Sequence, residues 1–260
     1  MTRLHLAFPC AGSTCLGTLD LAPGATGLLI VSGGNELRAG AWNGQAALAA
    51  VIAAQGFPVF RFDRRGVGDS EGRNTGFLGS EPDLRAAAVA FRAAAPGVRR
   101  IVALGNCDAA AALMLCAGAG CDALVLSNPW TIEPGAEAAA QPAALRAHYA
   151  RRLRDPAAVL RLLKGRIAPR QLLISLRDML RPQPPSSLAA RMAAGLAGFA
   201  GPVRILLAGR DRTAQVFMAG WDQTDPRLHV CPEASHSFVE PAARDWLLTQ
   251  VLAVLTECHD

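Results

Sequence analysis

Five short apolar runs, each ending on small or polar residues, set the strongest limit on what this chain can fold into. They are "TGLLIVSGG" (26–34), "FPVFRFD" (57–63), "RRIVALGN" (99–106), "DALVLSNP" (122–129) and "PVRILLAGRD" (202–211). A run that is continuously apolar, rather than alternating, is the pattern of a strand covered on both faces. Helical patterns lie between the runs, near 42–55, 82–95 and 109–119, and "PAARDWLLTQVLAVLTE" closes the chain. Strands alternating with helices predict an α/β fold: a mostly parallel central sheet with helices on both faces. A hairpin-like pair opens the chain, with an edge strand from the N-terminus pairing with "CLGTLDL", and "RLHVCPE" (227–233) supplies a last strand.

The alternation breaks once. Between Thr131 and Ala200 only helical patterns occur, interrupted by prolines at 142, 156, 169, 182, 184 and 185. The expected division is therefore a core formed by 1–130 and 201–260, with 131–200 a helical cap inserted between its halves. Such an insertion sits over the carboxyl ends of the strands, where open parallel sheets bind ligands, so substrate-binding residues are expected in it. From Arg146 to Arg191 the segment carries ten arginines and Lys164 against only Asp155 and Asp178. That excess predicts an anionic substrate or partner, against the simpler reading of a solvated helical face.

Composition excludes several classes. With 51% hydrophobic and 18% charged residues the chain has enough apolar surface to build a core, which argues against disorder. No apolar stretch reaches the roughly 18 residues of a membrane-spanning helix. The N-terminal "MTRLHLAFPCAGSTC" carries one basic residue and is broken by His5 and Pro9, unlike an export signal. Seven cysteines without any C-x-x-C pair fit neither a disulfide framework nor a zinc site, so a reducing cytoplasm and no metal or cofactor are expected. The net charge of +5 does not read as nucleic-acid binding, because the arginine usage is general.

The chemistry concentrates at "GNCDA" (105–109), where a predicted strand turns into a predicted helix. A nucleophile elbow has that context: its central residue takes a strained backbone, and only small residues two positions away avoid collision. Cys107 stands where such elbows often carry serine, and Ala109 where they carry glycine. The start of the following helix favours a thiolate and offers donors to an oxyanion. The alternative for Cys107 is a buried apolar cysteine, the reading given to Cys116, Cys121 and Cys231. A nucleophile needs a base and the base an orienting acid. Asp211, after the strand "VRILLAG", and His236, in "EASHSF" before the last helix, stand in the order nucleophile, acid, histidine. Asp211 also suits a helix cap; Asp222 and Glu233 are the reserve acids, and His5, His148, His229 and His259 are read as structural. Asp108 N–H is one expected oxyanion donor, and the loop at Gly33, Gly34 and Asn35 the source of the other, with Asn35 or Gly34 preferred. The loop "DRRGVGDSEG" (63–72) lacks the G-K-[ST] ending of a phosphate cradle and is read as structural.

Taken together, "FDRRGVGDSEG", "GNCDAA", "LLAGRDRTAQ" and "SHSF" resemble the α/β-hydrolase superfamily over essentially the whole chain. The cysteine elbow with this aspartate segment is similar to the exosortase A system-associated hydrolase 1 family. That resemblance implies a hydrolase or acyltransferase associated with exopolysaccharide production and protein sorting. The expected activity is esterase or thioesterase action through a thioester on Cys107, with an acyl ester or thioester substrate, carrier-protein or coenzyme A linked. Transfer of the acyl group to an amine, alcohol or carrier thiol, and a non-catalytic binding scaffold on the same fold, are the alternatives.

Overall fold

The computed structural model describes residues 2–133 and 187–258. Eight strands form one sheet: β1 (Thr2–Cys10), β2 (Ser13–Leu21), β3 (Thr26–Val31), β4 (Val59–Phe62), β5 (Arg100–Asn106), β6 (Ala123–Ser127), β7 (Val203–Ala208) and β8 (Leu228–Cys231). Their spatial order is β1-β2-β4-β3-β5-β6-β7-β8. The opening hairpin is antiparallel, closed by Ala11 and Gly12, both at positive φ, as a two-residue turn between twisted strands requires. β2 pairs antiparallel with β4, and every pairing from β4 through β3 to β8 is parallel.

The continuous apolar runs have the cause expected of them. In β3, Leu28 and Ile30 pack on one face of the sheet while Leu29 and Val31 pack on the other, and all four are at most 1% exposed. β5 repeats this with Val102 and Leu104 against Ile101 and Ala103. Helices α1 (Gly44–Ala54) and α6 (Pro241–Glu257) cover the first face. The second is covered by α2 (Glu81–Ala94), α3 (Asp108–Leu115) and α4 (Ser187–Ala197), with Phe217 of α5 (Arg212–Gly220) in the same cluster. On that face Phe60 stacks on Phe91 at 5.6 Å and meets Phe8 edge-on at 5.9 Å, rings of the size that dominate core energetics.

Of the expected cap, residues 134–186 lie outside the described residues. The last part of 131–200 is described: α4 buries Leu188, Met192 and Leu196 in the cluster that contains α3, so this stretch belongs to the helical layer on the sheet. Among the described residues no helix is long and apolar enough to cross a membrane.

Candidate active site

β5 ends at Asn106, α3 begins at Asp108, and Cys107 is the whole turn between them. Its backbone sits at φ 61, ψ −122, a left-side conformation that costs a side-chain-bearing residue of order 1–3 kcal/mol. The surroundings hold it there. Cys107 N–H donates to Ser127 O at 2.9 Å, and Cys107 O accepts from Ala111 N and Trp130 N, both at 3.2 Å. The small neighbours are necessary: a Cβ on Gly105 would lie 2.8 Å from the Ala109 carbonyl carbon and from Ala110 N, so strand and helix cross where only glycine fits.

His236 reaches the elbow from the loop between β8 and α6. Its Nδ1 is 3.0 Å from Asp211 Oδ2, and its ring is in hydrogen-bonding contact with the Cys107 side chain. These two contacts, the Asp211 carboxylate first, raise the His236 pKa to about 10, overriding the opposing effect of burial. The imidazole therefore holds its proton through neutrality. Elsewhere burial does the reverse for sulfur: it pushes Cys10 and Cys121 to about 12 and Cys116 to about 11, which leaves those thiols protonated and unreactive.

Asp211 is placed where both readings of it, helix cap and partner of the histidine, are geometrically open. It is the N-cap of α5, Oδ2 accepting from Ala214 N at 3.0 Å, and the same oxygen faces His236. The reserve acids are engaged elsewhere: Asp222 accepts from Thr224 N and Oγ1, and Glu233 is exposed. Two asparagines not foreseen as site residues tie the histidine loop down. Asn128, fully buried, donates to His236 O at 3.0 Å and to Asn106 Oδ1 at 3.1 Å while accepting from Ala208 N at 2.8 Å. Asn106 donates to the same His236 carbonyl at 3.4 Å.

The loop after β3 lies against the elbow. A Cβ on Gly33 would fall 2.6 Å from Asn106 O and 3.5 Å from Cys107 Cβ, and Gly34 takes φ 55. Gly34 N–H, one of the two preferred oxyanion donors, is occupied: it donates to Asp108 Oδ1 at 2.6 Å. Asn35 Oδ1 accepts from Asn74 at 2.7 Å. The 63–72 loop, read as structural, does bind the chain together, with Ser70 Oγ bridging Asp63 O and Leu16 N. It also sends Arg64 into the site. That side chain, 6% exposed, donates to Gly34 O and Ser80 Oγ and stands 3.4 Å from Asp108 Oδ2.

A cavity of about 290 Å³ opens between α1 and α6, lined by Leu48, Val51, Leu104, Leu247 and Leu248 and by Asn106 and Ser237, the chain neighbours of Cys107 and His236. Cys107 and His236 themselves do not line it. Cys10, Cys15 and Asp83 come close enough together to share an ion, but Arg65 binds the Asp83 carboxylate through Arg65 N, Nε and Nη2 at 2.9–3.0 Å, which leaves it little capacity for a metal.

Residues 21–249 match the family model described as the alpha/beta hydrolase family. The chain belongs to the alpha/beta hydrolase family. The hydrolase resembles solved structures in fold at low identity. One is the Pyrococcus furiosus esterase Pf2001, 14% identical with TM-score 0.64 over 100% of this chain and 93% of that one. Another is the alpha/beta hydrolase GrgF from Penicillium sp. sh18, 16% identical with TM-score 0.64 over 100% and 99%. A third is the Mycobacterium smegmatis proline iminopeptidase, 17% identical with TM-score 0.61 over 98% and 99%. Among curated proteins none matches this hydrolase in sequence. Family membership makes the chain an enzyme of hydrolase type.

Proposed function

We propose that this hydrolase is a cysteine-nucleophile acyl hydrolase, an esterase or thioesterase, working through a thioester on Cys107. The observation that carries the reading is the continuity of contact from the Cys107 sulfur through the His236 imidazole to the Asp211 carboxylate. Asp211 takes Nδ1 and thereby fixes the tautomer, leaving Nε2 for the sulfur and the leaving group. His236 takes the Cys107 thiol proton, the resulting thiolate attacks the acyl carbonyl, and charge collects on the carbonyl oxygen beside Asp108 N–H and the 33–35 loop. Collapse expels the alcohol or thiol, which takes the imidazolium proton. The neutral imidazole then deprotonates a water that attacks the thioester. That releases the carboxylic acid and restores the thiolate and imidazolium.

An anionic acyl donor, a coenzyme A ester or an acyl group on a carrier protein, matches the excess of positive side chains between 146 and 191. Activity on such donors then falls between low and moderate salt. Seven unpaired cysteines favour a cytoplasmic setting, and the resemblance to exosortase-associated hydrolases favours a role beside exopolysaccharide production. The test is turnover of chromogenic acyl esters and acyl thioesters by wild type, Cys107→Ala and His236→Ala. Wild-type turnover that disappears in both variants is expected. Equal turnover by Cys107→Ala and wild type removes the proposal.

A further inference from the structure

We infer that the Asp108 side chain is a specificity-determining competitor at the oxyanion site: its carboxylate stands on a donor that the reacting acyl oxygen would use. This inference rests on the assignment of Cys107 as nucleophile. Asp108 has two parts with opposed effects. Its N–H, in the first turn of α3 directly after Cys107, is one of the orphan donors of a helix start. Its carboxylate reaches across to the facing loop and accepts Gly34 N–H at 2.6 Å, a short, charge-assisted bond. One residue therefore supplies one donor and covers the other.

The neighbourhood lets the carboxylate leave without loss of the donor. Gly34 is anchored independently of Asp108, because the buried Arg64 guanidinium holds Gly34 O. The same guanidinium stands 3.4 Å from Asp108 Oδ2, a weak contact now and an ion-pair partner after a small swing. Asp108 is 17% exposed and borders the nucleophile, so the motion needs no repacking of the core. A neutral carbonyl oxygen competes poorly with a carboxylate for an N–H, whereas an oxyanion competes on equal terms. With that donor covered, the site is biased towards acyl donors electrophilic enough to add the thiolate without it, activated thioesters and aryl esters, over alkyl esters.

A plain tether of the loop, or a favourable charge at the start of α3, predicts the opposite sign for removal of the carboxylate: slower acylation. The experiment compares wild type, Asp108→Ala and Asp108→Asn in single-turnover acylation of Cys107 by a p-nitrophenyl ester, read by intact mass. Alkylation by iodoacetamide, which needs no oxyanion donor, is measured on the same samples. Dividing the first rate by the second cancels any change in thiolate reactivity. The expected ratio rises about tenfold in Asp108→Ala, the scale of one charge-assisted hydrogen bond no longer displaced. Asp108→Asn, which keeps the volume and a neutral acceptor, rises less, and it carries the test if the alanine variant fails to fold. A ratio equal to or below wild type in the folded variants overturns the inference while leaving the nucleophile intact. Alkylation of Cys107 with no acylation of any form overturns the assignment of the nucleophile and the inference with it.

Discussion

Asp211 Oδ2 both caps α5 and orients His236, so two substitutions at this position separate a structural loss from a chemical one. Asp211→Asn retains a side-chain oxygen able to accept Ala214 N–H and so preserves the cap. Asp211→Ala removes it, and loss of an N-cap acceptor costs about 1 kcal/mol. For a chain of this size that lowers Tm by about 2–4 °C. Both substitutions remove the carboxylate that contributes most to holding the His236 proton. The imidazole then loses its tautomer preference and its pKa drops from about 10 towards the ordinary histidine value. Removing an orienting acid of this kind lowers kcat by about 10²- to 10⁴-fold. Urea denaturation and pH–rate profiles on the three proteins read both effects. The predicted outcome is a stable but nearly inactive Asp211→Asn beside a destabilised and equally inactive Asp211→Ala, each with its alkaline limb moved to lower pH. Wild-type kcat in a folded Asp211→Asn would refute the reasoning, because the carboxylate would then be a helix cap and nothing more.

Gly105→Ala places a methyl 2.8 Å from the backbone of α3, so strand and helix must separate; overpacking of about 1–3 kcal/mol appears as a lower urea midpoint, and the displaced Cys107 loses acylation rate by about tenfold or more. Asn128→Ala removes the bridge between Ala208 N and His236 O, so kcat falls while iodoacetamide still alkylates Cys107, a split that separates lost positioning from lost nucleophile. His236 carries a pH signature in stability. Because its folded pKa is raised from 6.5 to about 10, its contribution is complete below about 6.5 and is lost as pH rises through about 10. Denaturation of wild type and His236→Ala across that range is expected to show a stability gap that narrows towards high pH; a constant gap contradicts the paired imidazolium.

Much of this architecture is legible in the sequence because its signals are local. Leu28 to Val31 are all apolar because both faces of β3 are covered, and Gly105 and Ala109 flank Cys107 because strand and helix cross there. Helix ends were less legible. The pattern predicts a helix from Trp42, yet Trp42 and Asn43 take positive φ and α1 starts at Gly44. It predicts α3 to run to Ala119, yet Gly118 and Ala119 take positive φ and the helix stops at Leu115. What sequence alone could not yield are contacts made by the fold. Asn128 meets His236 O across 108 positions, and Asp108 meets Gly34 across 74. Arg64, inside a loop assigned to structure, reaches Gly34 and Asp108 only because β3, β4 and β5 end side by side. No periodicity encodes such meetings. A polar residue just beyond the end of a buried parallel strand, as at Asn128, is the one local hint.

The most direct measurement is intact-mass analysis of the protein after brief exposure to an activated acyl ester, with the modified peptide identified by fragmentation. The account predicts a single acyl mass on the peptide containing Cys107, labile to hydroxylamine and missing from Cys107→Ser at the same site as a thioester. An adduct elsewhere, or an equal adduct in Cys107→Ala, would contradict it.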